Sequence, residues 1–315
     1  MVEIRLKFKE IASLLRDFED IFSKNEDNIG LTHLIEHSID TGTAKPIKQP
    51  PRRVPLAFAD KEREIVQQME RRCIIRKSTS PLGKSFMSYL KKKGTINTIK
   101  VRPTIDFRAV HKLCQDDAFP LPRIQDFLDT IAGSILFTCV SLLSGYHQVS
   151  VKESDIPKTS VTKYGLYEFT RMHMGLKSSA QIFHRLMELV LQGIQWSICL
   201  IYLDDVIIFG KHFEEHMGRV RFLLHRIREA SLKLKPDKCQ FLQTEVKFLG
   251  HVVSGDGVRP NPDNLMKVRQ WDAPRSVTQV RQFLGLASYY RMFKQRFSKI
   301  ATLYYKFNQE RRKFR

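Results

Sequence analysis

Ser197-Ile198-Cys199-Leu200-Ile201-Tyr202-Leu203-Asp204-Asp205-Val206-Ile207-Ile208-Phe209 sets two adjacent carboxylates between apolar runs rich in Ile. Short apolar runs of this kind read as two buried strands, and the single polar break puts Asp204-Asp205 at the tip of a tight hairpin. Carboxylates there are costly if buried without partners, so they call for cations or solvent. Hard divalent cations such as Mg²⁺ take carboxylate oxygens and keep positions open for substrate phosphates, an arrangement suited to two-metal phosphoryl transfer. A plain solvent-exposed turn is the competing reading, because Asp is a common turn residue.

The surrounding composition bears on that choice. The 315 residues suffice for two or three lobes with a real core. Lys and Arg outnumber Asp and Glu by 53 to 33, a formal charge of +20, on a chain that is 42% hydrophobic. Such a balance indicates a folded protein with a polyanionic partner, most often nucleic acid. No uninterrupted apolar segment has the length of a membrane span, and Met1–Lys9 lacks the apolar centre of a secretion signal. Cys73, Cys114, Cys139, Cys199 and Cys239 lie far apart without a CxxC pair, as expected of free, buried thiols in a reducing, intracellular compartment.

Working outward along the chain, Phe8, Ile11, Leu14, Leu15, Phe18, Ile21 and Phe22 predict an amphipathic helix over 7–22. Asp40-Thr41-Gly42 copies an aspartic-protease signature, but Ala44-Lys45-Pro46 follows where small apolar residues are required, which excludes that reading. His33 and His37 are four apart with too few further ligands nearby for zinc. Residues 46–55 form an extended, proline-rich basic segment around Arg52-Arg53. Asp60 caps a helix with Ile65, Met69 and Cys73 inward, and Lys91-Lys92-Lys93-Gly94 reads as a basic hairpin tip. With Arg102 it offers cations for a triphosphate, or else a solvated charged turn.

Ile135–Leu143 predicts a central strand ending in Ser144-Gly145-Tyr146-His147-Gln148. A hairpin follows around Tyr164-Gly165, then a helix from Ser178, the Asp-pair hairpin, and a helix with Val220, Leu223, Leu224 and Ile227 inward. The start of that last helix, His212-Phe213-Glu214-Glu215-His216, matches the HxxEH zinc pattern, yet acidic residues in a first helical turn need no metal to explain them. Gly255-Asp256-Gly257 marks a hairpin, and Ser276-Val277-Thr278-Gln279 a capping box.

In order, these blocks resemble the reverse transcriptase of gypsy-type LTR retrotransposons over roughly residues 40–301. The resemblance is carried by "DTGTAKPIKQPPRRVP", "STSP", "KKKG", "RPTIDFR", "FPLPRIQDFLDTIAGSILFT", "LSGYHQV", "KYGLYEF", "MGLKSSAQIFHRLM", "YLDDVIIFG", "LKLKPDKCQF", "VKFLGHVVSGDGV" and "VRQFLGLASYYRMF". It implies an α+β right-hand polymerase fold of fingers, ferredoxin-like antiparallel palm and thumb. The implied division is a lead helix and loop over 1–45, fingers over 46–114 and 151–173, palm over 115–150 and 174–256, and thumb or connection over 257–315. The interleaved strand hairpins and helices are compatible with it.

By resemblance, Asp204 binds both of two Mg²⁺ (or Mn²⁺) ions with Asp205 in support. Lys92 and Arg102 hold the incoming deoxynucleoside triphosphate, Tyr146 blocks a ribose 2′-OH, and Gly175 lies under the nascent base pair. Lys233 or Lys235 is left as the lysine near the leaving pyrophosphate. The implied partners are an RNA or DNA template with primer, and ribonuclease H and integrase are the usual polyprotein neighbours. One departure outweighs the rest: Ser141 stands where the family has a metal-sharing Asp, and a neutral hydroxyl cannot bridge two dications. Leu82, Lys84, Ser85, Met174 and Ala180 also depart from the family pattern. The expectation is therefore a polymerase impaired at Ser141, and the alternative is a non-catalytic nucleic-acid-binding remnant with the same hand.

Overall fold

The computed structural model describes residues 2–42, 59–80, 84–91, 100–162 and 164–310, apart from 116, 118 and 121. Lys92, Arg52-Arg53 and the whole proline-rich segment 46–55 therefore lie outside the described residues. The chain opens with α1 (Val2–Asp17) and a 3₁₀ turn over Glu19–Ile21, so the helix expected over 7–22 breaks at Phe18. Its apolar stripe survives the break: Ile11, Leu14, Phe18 and Ile21 are all buried in the central core. Then come β1 (Glu36–His37), α2 (Ala59–Arg71), β2 (Ile75–Lys77), β3 (Lys84–Lys91), β4 (Lys100–Ile105), α3 (Arg108–His111) and α4 (Ile124–Ile131). Asp60 sits inside the first turn of α2 rather than capping it; Val66 and Met69 point inward, and Cys73 is exposed past the helix end.

Next are β5 (Leu136–Ser141), β6 (Ser150–Val151), β7 (Val161–Thr162), β8 (Leu166–Phe169), α5 (Ser179–Val190), β9 (Cys199–Tyr202), β10 (Asp205–Gly210), α6 (Phe213–Glu229) and β11 (Gln240–Gln243). The run β5-α5-β9-β10-α6-β11 folds into a four-stranded antiparallel sheet ordered β11-β5-β10-β9. That succession and order are the ferredoxin-like arrangement. Because β-strand side chains alternate, the sheet has two distinct faces. One face, with Val140, Cys199, Ile201, Val206 and Ile208, packs on Phe183 and Leu186 of α5 and Val220, Leu223, Leu224 and Ile227 of α6. The other, with Phe137, Leu200, Ile207 and Phe209, packs on Phe127, Leu128 and Ile131 of α4.

That second face is closed further by a meander of β12 (Glu245–Phe248), β13 (His251–Ser254) and β14 (Gly257–Pro260), which contributes Val246, Phe248 and Val253. A five-stranded sheet, β2-β8-β7-β3-β4, lies to the other side; Pro103 is tolerated there because β4 is an edge. Three helices follow, α7 (Pro262–Arg269), α8 (Val277–Tyr289) and α9 (Phe297–Glu310). Ser276 caps α8 by accepting from the Gln279 N–H at 3.2 Å, and Gln279 reaches back to the Arg275 N–H at 2.7 Å. The reciprocal bond of the capping box is thus shifted by one residue.

Several motif readings close here. His216 is fully buried, with Nε2 2.8 Å from the Thr138 hydroxyl, and His33 is exposed while His37 is buried against Ser178. Among the described residues no group of three His, Cys, Asp or Glu side chains is placed to hold a metal. All five cysteines are free, as expected, but of the thiols expected to be buried only Cys199 is fully so, Cys114, Cys139 and Cys239 being half-buried and Cys73 exposed. No described helix is long and apolar enough to cross a membrane.

Candidate functional site

The turn between β9 and β10 is Leu203-Asp204, closed by the pair Tyr202↔Asp205. Leu203 takes φ +55°, a left-handed conformation that a two-residue hairpin normally gives to glycine. Backbone strain of that sort costs on the order of 1–3 kcal/mol and gathers at functional sites. Here it projects the two carboxylates from the end of the sheet. On the neighbouring strand Ser141 pairs directly with Asp205, and the Leu142 N–H reaches the Asp204 carbonyl at 3.5 Å. Directly opposed residues share a face, so Ser141 and Asp205 form the last rung of the face that carries Phe137 and Ile207.

This rung is where the apolar alternation stops. Ser141 is buried, and its hydroxyl makes no regular hydrogen bond. It is nonetheless close enough to Asp205 to favour that carboxylate's charged form weakly. Burial, then the charge of Asp204, raise the Asp205 pKa, against opposing contributions from Lys238 and Ser141. The residue remains open to solvent at its outer side, so its desolvation is partial. Two carboxylates and an orphaned hydroxyl in one corner fit one divalent cation at the turn. They do not fit a bridged pair, since the position that would supply the bridging oxygens carries no charge.

Tyr146 stands next to this corner. It follows Gly145 in the 3₁₀ turn Gly145–Gln148 and stacks on Phe183 of α5, ring centroids 5.0 Å apart and planes 26° from parallel. A Cβ on Gly145 would lie 2.8 Å from the Phe183 ring, so glycine is required for α5 to come this close. Burial and the Asp204 charge both raise the Tyr146 pKa, which keeps the phenol protonated and able to donate. Gly175 is tied into the protein by both backbone groups: its N–H donates to His173 Nδ1 at 2.9 Å and its carbonyl bonds His111 Nε2 at 2.8 Å.

The basic residues fall in different settings. Arg102 lies in β4 opposite Tyr89, and its side chain is outside the described residues, as is all of Lys92. Lys233 donates to the Asp20 carbonyl, and Lys235 sits 3.9 Å from Glu26. The lysine whose charge reaches Asp205 is instead Lys238, at the end of the 3₁₀ turn Pro236–Lys238. The sequence block "LKLKPDKCQF" contained it, but nothing in lysine spacing told which of its lysines turns toward the carboxylates. The Phe183 stack and the Leu203 strain were likewise missed, because each depends on a contact or angle that only folding creates.

The profile of the family "Reverse transcriptase (RNA-dependent DNA polymerase)" matches residues 90–253, more than half of the chain. The chain belongs to the reverse transcriptase family. It is 34% identical over 296 residues to the Retrovirus-related Pol polyprotein from transposon 297 of Drosophila melanogaster, covering 93% of this chain and 28% of that protein. To the Pol polyprotein from transposon gypsy of the same organism it is 32% identical, again over 93% of this chain and 28% of the relative. This reverse transcriptase domain, of retrotransposon origin, thus spans under a third of the curated relatives it matches.

Solved structures agree on the fold. The foamy viral protease-reverse transcriptase in complex with RNA/DNA hybrid superposes with a TM-score of 0.84 at 21% identity, over 96% of this chain and 40% of that one. The same viral protein in complex with dsDNA gives 0.86 at 22%, over 95% and 62%. The α+β right-hand polymerase architecture expected from sequence is the one found. Reverse transcriptases as a family use divalent cations, which sharpens the significance of the serine in the site of this domain.

Proposed function

We propose that this domain binds a primer–template duplex and a deoxynucleoside triphosphate in the right-hand cleft, with its nucleotidyl transfer strongly impaired. The observation that carries the reading is Ser141, buried, without a regular hydrogen bond and directly opposite Asp205 in the catalytic corner. Residues 46–114 and 151–173 act as fingers, 115–150 and 174–256 as palm, and 257–315 as thumb or the start of a connection. Residues 1–45 lead in, with the 3₁₀ turn after α1 tied to α6 through the Arg228–Asp20 ion pair. The protein works inside the cell.

Tyr146 lies beneath the sugar of the incoming nucleotide, its ring held by Phe183, and excludes a 2′-hydroxyl by occupying that volume. Lys238 offers positive charge on the leaving-pyrophosphate side, a role for which Lys233 and Lys235 are already engaged elsewhere. Gly175 and the start of α5 support the templating base pair, while Lys92 and Arg102 reach the triphosphate. Asp204 and Asp205 would hold Mg²⁺, which when bound offsets phosphate charge. The carboxylates fix where the primer 3′-end and the triphosphate meet.

The missing bridging carboxylate also favours a second reading, a non-catalytic nucleic-acid-binding remnant. Binding is common to both, so the discriminating assay is Mg²⁺-dependent primer extension: trace extension supports the first reading, and none at any enzyme excess supports the second. Either way, primer–template affinity is expected to fall steeply with salt, because a chain of charge +20 releases counterions from the backbone. For six or more phosphate contacts the loss between 50 and 200 mM salt is about 10³-fold or greater. Fluorescence anisotropy with a labelled duplex measures it; affinity independent of salt would contradict the proposed interface.

A further inference from the structure

Gln148 is fully buried and spends its whole side chain on backbone groups. Nε2 donates to the Leu143 carbonyl at 2.7 Å and to the Lys233 carbonyl at 2.9 Å, while Oε1 accepts from the Lys233 N–H at 2.7 Å. Its own carbonyl accepts from the Thr32 N–H at 2.8 Å. A side-chain amide with this set of bonds imitates a peptide unit and continues a ladder past the point where the strands diverge. The ladder itself is the pairing of 141–143 with 233–235: Leu143 N–H to Lys233 carbonyl at 3.0 Å and Lys235 N–H to Ser141 carbonyl at 2.9 Å.

The two segments so joined carry the two sides of the nucleotide site. One is the turn from Ser144, itself at φ +48°, through Tyr146 to Gln148. The other runs from Lys233 to Lys238, whose charge acts on Asp205. Space around the amide is tight, since a Cβ on Gly30 would fall 2.5 Å from Oε1. We infer that Gln148 is a positioning residue for nucleotide selection: its amide locks the Tyr146 turn to the Lys233–Lys238 segment, so that sugar discrimination by Tyr146 depends on it. The inference deepens the polymerase reading and rests on it.

The physical argument is one of alternatives. Without the amide, the Leu143 carbonyl and both Lys233 backbone groups lose a partner in a buried place, and such groups move to find others. The Tyr146 turn keeps the Phe183 stack, the Arg171 bond to the His147 carbonyl and the Thr32 bond to the Gln148 carbonyl, while its tie to the Lys233–Lys238 segment shrinks to the backbone pairing of 141–143 with 233–235. A displacement of about 1 Å at a positioning element changes selection by on the order of 10–10²-fold. Gross binding of duplex, spread over a large basic surface, has no such dependence on one turn.

The test uses the full chain and a dideoxy-terminated primer on template, so that ternary complexes form without chemistry. Complex stability is titrated with dNTP and with the matching rNTP, for the parent, Gln148→Met and Gln148→Glu. Met keeps the length without hydrogen bonds; Glu keeps the acceptor and loses the donor. The expected result is a dNTP-over-rNTP preference about tenfold or more narrower in both variants, with duplex affinity little changed and the unfolding transition lowered but still cooperative. If Gln148→Met fails to fold, Gln148→Asn, polar but a methylene shorter, takes its place with the same expected narrowing. An unchanged preference in folded variants overturns the inference alone. Absence of any dNTP-dependent complex with the parent chain overturns the polymerase reading, and the inference with it.

Discussion

Ser141→Asp is expected to raise Mg²⁺-dependent extension of a DNA primer on an RNA template by roughly 10²–10⁴-fold over the chain as it stands. The register places the new carboxylate directly across from Asp205, on the same face and next to the turn carrying Asp204. Two cations can be bridged only by a ligand set with enough negative oxygen, and Ser141 withholds two of those oxygens. The same substitution has a cost when no cation is present. Three carboxylates in one corner repel one another, and the pKa of Asp205, already raised by burial and by Asp204, rises further. Mg²⁺ should therefore raise the thermal midpoint of Ser141→Asp more than that of the parent, a readout independent of activity. Adding Asp204→Ala to Ser141→Asp should abolish the gain in extension. A folded, duplex-binding Ser141→Asp variant that stays silent would move suspicion to Met174 and Ala180, the departures just before and within α5.

A second large effect is expected from acid. His37, His173 and His216 are buried, and burial lowers their pKa values to about 4, about 3 and about 4 respectively. Each is built into the fold as a neutral ring: His37 against the Ser178 hydroxyl, His173 accepting from the Gly175 N–H, His216 against Thr138. In the unfolded chain they protonate near the ordinary value of about 6.5. Between that pH and about 4 the unfolded state binds protons that the folded state refuses, so stability is full above the unfolded pKa and falls as pH drops. One such group contributes about 1.4 kcal/mol per pH unit, so the three together approach 4 kcal/mol per unit. That slope consumes a typical domain stability of about 5–15 kcal/mol within a few pH units. Circular dichroism against pH should show cooperative loss of structure well above pH 4. Replacing His216 with Gln, which retains a partner for Thr138, should flatten the slope by about 1.4 kcal/mol per pH unit; a flat stability from pH 7 to 4 in the parent would contradict the neutral-histidine assignment.

Much of this architecture was legible because it rests on periodicity. The two apolar runs around Asp204-Asp205 gave the hairpin, the long apolar run of Ile135–Leu143 gave the neighbouring strand, and Val220, Leu223, Leu224 and Ile227 gave the buried face of α6. Local chemistry gave the Ser276 cap and the Gly255-Asp256 hairpin. What stayed hidden was whatever depends on distance through space. The break of the first helix at Phe18 follows from packing Ile21 into the palm core, which the helical pattern alone cannot express. Lys238 could not be told from Lys233 and Lys235, because their difference is that Asp20 and Glu26 occupy the other two. Gln148 looked like an ordinary polar residue after a turn, and only the fold brings Lys233 to it. Ser141 is the instructive case: the motif flagged the residue type, while the register supplied the reason it matters.

The central claim is that this reverse transcriptase domain keeps its hand but lacks a seat for a second catalytic cation. The most direct measurement is a Mn²⁺ titration of the parent and of Ser141→Asp, each bound to dideoxy-terminated primer–template and a matched dNTP, read by electron paramagnetic resonance. The prediction is one tightly held Mn²⁺ per complex in the parent and two in Ser141→Asp. Two tightly held ions in the parent, at the affinity of the Asp variant, would contradict the account.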